Sequence, residues 1–165
     1  MSKANFILKH LLLLTAVLSI VGCDRVTKLA ATEFLAGAPT RSYFHDVVRL
    51  GYAENPGAFL SLGADLPVSV RYPLFIVASG LMLVMFVAYA VTMRWNGWRL
   101  FGLCLFIAGG ASNWLDRFAT GNVVDFLNVG IGPLRTGIFN VADVALMAGF
   151  LIVAICEFRK GDLQS

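Results

Sequence analysis

Four apolar stretches constrain this chain more than any other feature. They run roughly from Leu11 to Cys23, Pro73 to Met93, Leu100 to Leu115 and Ile138 to Phe158. A helix needs roughly 20 apolar residues to cross a bilayer. The second and fourth stretches meet that length. The first and third are shorter, but each continues into polar residues that suit the membrane interface. A chain that is 58% hydrophobic with a mean hydropathy of +0.77 carries more apolar surface than a soluble core of 165 residues can hide. The expected class is an α-helical integral membrane protein, with four transmembrane helices in one domain over 1–165.

Charge places the loops. Basic flanks at Lys3 and Lys9, at Arg94 and Arg99, and at Arg159 and Lys160 fall on one side of a four-span chain. The positive-inside rule makes that side, with both termini, cytoplasmic, and Trp95 and Trp98 fit its interface. Residues 25–72 then form a surface insertion on the opposite, outer side. Within it, Tyr43 to Leu50 is rich in strand formers, Asn55-Pro56-Gly57 is a turn signal, and Ala64 to Tyr72 fits a short interfacial helix. The net charge of +3 is scattered, with no basic, aromatic-interleaved patch for nucleic acid. Cys23, Cys104 and Cys156 all lie in apolar segments and show no disulfide or metal spacing. Ile20-Val21-Gly22-Cys23 fits a lipobox, which would make the chain a lipoprotein; three further spans make a retained first span the simpler expectation.

With this topology the polar groups converge on the outer face: Asp24 and Lys28, Asn55, Asn113 with Asp116 and Arg117, Asp125, and Asn140 with Asp143. A carboxylate in a membrane segment costs about 2.5–3.5 kcal/mol on insertion scales. Two such charges 4 Å apart repel by about 4 kcal/mol at an effective dielectric of 20. At 1.36 kcal/mol per unit, that raises one apparent pKa by about three units. Asp125 and Asp143 can therefore share one proton, the state that aspartyl proteolysis uses. With a helix starting near Ile138, Asp143 lies roughly 8 Å below the helix end, at about 1.5 Å per residue.

The remaining motifs have plainer readings beside the functional ones. Asp24 and Lys28 are spaced for an ion pair on one helical face. Asn55 is a turn residue, or an amide placed for a substrate backbone. Gly109, Asn113 and Asp116 or Arg117 share a helical face, and the small residues Ala108 to Ser112 favour close helix packing. Asp116 and Arg117 read as a charge pair, or Arg117 as an anchor for substrate or a lipid phosphate. The only histidines, His10 and His45, form no His-Glu-x-x-His site, and no Gly-x-Ser-x-Gly elbow occurs.

The ordered set Asp24-x-x-Thr27-Lys28, Asn55-Pro56-Gly57-Ala58, Asn113-x-x-Asp116-Arg117, Gly121-x-Val123-x-Asp125-Phe126 and Phe139-Asn140-x-Ala142-Asp143 resembles bacterial lipoprotein signal peptidase, signal peptidase II. The resemblance implies four transmembrane helices with a small periplasmic β cradle and a short interfacial helix. It implies an inner-membrane aspartyl endopeptidase that cuts diacylglyceryl-modified prolipoproteins before the lipidated cysteine, with no metal or cofactor. Asp125 and Asp143 would be catalytic. Asp24, Lys28, Asn55, Gly109, Asn113, Arg117 and Asn140 would bind substrate or support the site. Ser112 departs from the glycine of many members. Membrane lipids are the expected surroundings and the monomer the expected state. The rival is a small proton-coupled transporter or channel using the same carboxylates, against which stands the absence of an inverted repeat.

Overall fold

The computed structural model describes residues 3–58, 61–92 and 97–161; Arg94 and Trp95, expected at the interface, lie outside them. Helix α1 runs from Lys3 to Leu35, strands β1 and β2 are Arg41–Tyr43 and Val48–Asn55, and a short helix α2 covers Val68–Tyr72. A wider helical turn at Pro73–Ala78 leads without a break into α3, Ser79–Thr92. Then follow α4 (Gly97–Thr120), β3 (Val123–Ile131), β4 (Leu134–Arg135) and α5 (Val141–Gly161).

The continuous helical run Val68–Thr92 and the segment Val141–Arg159 of α5 are long and apolar enough to cross a membrane. Their apolar side chains point outward: Leu81, Val84 and Val91 on α3, and Phe150, Ile155 and Phe158 on α5, are all exposed. A helix that exposes such a surface is built for lipid, where the backbone must satisfy itself internally.

Helix α1 is longer than the apolar stretch that announced it. It passes through Asp24 and Lys28 to Leu35, so part of the expected surface insertion is helix. It ends where Gly37 takes a left-handed φ of 74°, a conformation glycine adopts without penalty. The end of α1 packs Ala31 and Leu35 against Phe126, with Leu50, Tyr52 and Val124 around them. The four strands form one antiparallel sheet in the order β1-β2-β3-β4.

Helices α4 and α5 meet closely because glycine faces backbone. A Cβ on Gly109 would lie 2.2 Å from the Ala142 carbonyl oxygen, and one on Gly149 would lie 2.4 Å from the Gly102 carbonyl oxygen. Both are closer than any real Cβ sits, so glycine is required for this approach. Helix α4 stops at Thr120. Gly121, at φ 80°, turns the chain and donates its N–H to Arg117 O at 2.9 Å, a left-handed helix cap. That cap directs the chain into β3 and carries Asp125 back over the start of α5.

Candidate active site

The start of α5 determines the site. Asn140 precedes its first residue, and Asp143 is the third residue of the helix. The Asp143 N–H donates to Asn140 Oδ1 at 2.9 Å, and the Asn140 N–H donates to Asp143 Oδ2 at 3.2 Å. This reciprocal pair is a capping box, which satisfies orphan amides at a helix start. It corrects the expected helix start near Ile138: Asp143 lies in the first turn, near the positive end of the helix dipole, and not deep below it.

Asn140 also reaches Asp125. Its Nδ2 donates to Asp125 Oδ1 at 2.7 Å and to Asn113 Oδ1 at 3.1 Å. Both carboxylates are therefore hydrogen-bonded to one residue. Asn55 Nδ2 donates to the other oxygen of Asp125 at 3.0 Å, and Asn113 Nδ2 donates to Asp143 Oδ1 at 2.8 Å. Each carboxylate thus has donors on both oxygens. Asp125 is pushed up from the ordinary 3.8 to about 6. Burial is the main cause and the charge of Asp143 adds to it, against the lowering effect of the Asn55 and Asn140 amides.

Beneath the pair lies a buried ionic layer. Lys28 uses all three ammonium hydrogens: on Asp24 Oδ2 at 2.6 Å, Asp116 Oδ2 at 2.6 Å and Asn113 Oδ1 at 2.8 Å. Because Lys28 and Asn140 both donate to Asn113 Oδ1, the Asn113 amide nitrogen must face Asp143. Asp24 is fully buried. It accepts from Ser112 Oγ at 2.7 Å and, on its other oxygen, from the Ala142 N–H at 2.8 Å. It thereby ties α1, α4 and the first turn of α5 together.

Several expected residues take parts the sequence did not display. Asp116 and Arg117 do not pair with each other. Asp116 binds Lys28 and also Arg25 at 2.8 Å. Arg117 donates through Nε to Gly57 O at 3.0 Å, with Nη2 on the same oxygen. Successive helical residues point in different directions, which separates these neighbours. Asn55 is both a turn residue and a site residue: its Oδ1 accepts from the Gly57 N–H at 2.9 Å while its amide holds Asp125. Gly109 contributes the close approach of α4 to Ala142 and no polar contact. Ser112 and the Ala142 N–H were not anticipated. The spacing Asn140-x-x-Asp143 is itself a readable capping signature, and it would have located the helix start.

The fold is that of a membrane protein, and the site is a buried pair of aspartates held by amides above an ionic layer. Residues 16–159 match the family model described as Signal peptidase (SPase) II. The chain is 30% identical over 153 residues to a lipoprotein signal peptidase of Streptococcus pneumoniae, covering 92% of this chain and 95% of the relative. It is 28% identical over 155 residues to one of Streptococcus pyogenes, covering 93% and 97%. Two solved structures, each described as a bacterial membrane enzyme determined by the in meso method, share the fold. One has a TM-score of 0.78 at 22% identity, over 93% of this chain and 91% of the other. The second has a TM-score of 0.77 at 23% identity, over 87% and 90%. The chain belongs to the signal peptidase II family of aspartyl endopeptidases.

Proposed function

We propose that Asp125 and Asp143 are the catalytic pair, and that they remove the signal peptide from diacylglyceryl-modified prolipoproteins by cutting before the lipidated cysteine. The observation that carries this reading is the sharing of Asn140 by both carboxylates. Asp24, Asp116, Asp125 and Asp143 stand against Lys28, Arg25 and Arg117. One proton held on the pair balances that charge. The ionised carboxylate then takes a proton from the attacking water while the protonated one donates to the scissile carbonyl. The two titrations belong to the pair and not to either residue.

In this reading Asn55, Asn113 and Asn140 orient the carboxylates, and Asp24, Lys28 and Gly109 seat the helices that carry them. Arg117 holds the turn at Gly57 over the site. A substrate whose cysteine bears two acyl chains arrives by diffusion in the leaflet, which suits a site at the end of the spans. The enzyme sits in the bacterial inner membrane with both termini cytoplasmic and the site towards the periplasm, and it acts as a monomer surrounded by membrane lipids. The test is cleavage by purified protein of one prolipoprotein with and without diacylglycerol. The expected result is cutting of the lipidated form alone, with the cysteine as the new N-terminus. Equal cutting of both forms, or a cut elsewhere, would overturn the substrate assignment.

A further inference from the structure

The end of the sheet away from Asn55 is apolar in a way that catalysis does not use. Tyr43 of β1 pairs with Val48 of β2, Val48 pairs with Val129 of β3, and Ile131 pairs with Leu134 of β4. The β1–β2 turn and the β3–β4 turn therefore lie side by side. Their tips carry Phe44, Ile131 and Leu134, exposed by 77%, 76% and 83%. Large apolar side chains gathered at one exposed edge signal a partner surface.

The backbone holds Phe44 outward at a cost. Phe44, His45 and Asp46 are three successive left-handed residues, at φ 54°, 53° and 69°, where non-glycine residues are each disfavoured. A dense set of contacts enforces the turn. Ser42 Oγ donates to Asp46 Oδ1 at 2.7 Å, and Arg49 Nε donates to the same oxygen at 2.7 Å. Arg135 Nη1 donates to Asp46 O at 2.7 Å. Strain maintained this way is the kind of outlier from which a functional role can be argued. Behind the tips stand Arg41, exposed at the sheet edge, and a cavity of about 370 Å³ lined by Arg49, Arg135, Asn128, Thr40 and Phe126. Arg49 and Arg135 are both ion-paired with Asp46, so the three arginines and Asp46 leave a net positive charge behind the apolar tip with Arg41 outermost, which matches an anionic leaflet with acyl chains beyond the phosphates.

We propose that this end of the sheet is a lipid anchor, in which Phe44, Ile131 and Leu134 enter the acyl region of the leaflet while Arg41 meets anionic headgroups. Together with the spans, such an anchor would fix the height of the sheet, and so of Asp125, above the bilayer. The inference rests on the reading that this face of the molecule lies at the outer membrane surface. The test places the photo-reactive residue benzoylphenylalanine at position 134, and separately at the lipid-facing position 81 of α3, in the full chain. Vesicles contain phosphatidylethanolamine with or without phosphatidylglycerol.

The expected result is a lipid adduct at both positions. At position 134 the yield rises at least about twofold with phosphatidylglycerol, and Arg41→Gln removes that rise. An adduct at position 81 with none at 134 would overturn the anchor alone. An adduct at 134 only with added prolipoprotein would reassign the edge to substrate. Equal yields in the two vesicle types would overturn the part given to Arg41. No adduct at position 81 would overturn the membrane reading beneath the proposal, whatever the cleavage assay shows.

Discussion

Asn140 places its amide nitrogen on Asp125 and Asn113, its side-chain oxygen on the Asp143 N–H, and its own N–H on the Asp143 carboxylate. Asn140→Ala should therefore act twice. Loss of the helix cap costs about 1 kcal/mol of stability. Loss of a hydrogen bond to a charged group costs about 1.5–3 kcal/mol, roughly ten- to a hundredfold in cleavage rate. Thermal unfolding and initial rates would separate the two effects. The Asp125 titration has a definite sign. Its folded value of about 6 lies above the ordinary 3.8, so the folded state holds its proton over that window and the unfolded state does not. Its contribution to stability is full below about pH 3.8 and is lost as pH rises through about 6. Asp125→Asn should flatten the fall in stability between pH 4 and 6.5, as measured by thermal unfolding; an unchanged slope would contradict the burial argument. The sequence reading singled out both aspartates and Asn140, and the structure brings the three together. It did not show which amide meets which carboxylate, because those partners come from Asn55 and Asn113, far away in the chain.

Among the elements, the spans were the most legible and the sheet the least. A long apolar run announces a helix in lipid by itself, as Pro73 to Met93 does. No strand was expected at β3 or β4, although Val123–Ile131 is rich in strand formers, and β3 is stabilised by pairing with β2, about seventy residues earlier. Local pattern carries little of such a pairing. The extension of α1 to Leu35 was hidden for a related reason. Asp24 and Lys28 looked like the end of a span, and they are buried only because α4 supplies Ser112, Asn113 and Asp116. The α4–α5 contact makes its own prediction. Gly109→Ala sets a Cβ against the Ala142 carbonyl and should cost about 1–3 kcal/mol as overpacking. Gly22→Ala, where nothing lies within 4 Å of the added atom, replaces a glycine inside α1 and should leave the unfolding temperature unchanged or raise it. Equal effects of the two would contradict the packing account.

At the scale of the whole molecule, the site is made by elements that are distant in sequence and converge at one end of the bundle. Helix α1 brings Asp24 and Lys28, β2 brings Asn55, α4 brings Asn113 and Arg117, β3 brings Asp125, and α5 brings Asp143. The outer surfaces of α3 and α5 expose large apolar side chains, the surface that suits a helix in lipid. The central claim is that the two aspartates act as one unit. Its most direct test is the initial rate of prolipoprotein cleavage by Asp125→Asn, Asp143→Asn and the double variant beside the unaltered enzyme, each shown to be folded. Groups that act together are non-additive, so either single substitution should lower the rate by roughly a thousandfold or more and the double variant should be no slower. A single variant that keeps cleavage within about tenfold of the unaltered enzyme would contradict the shared-proton pair.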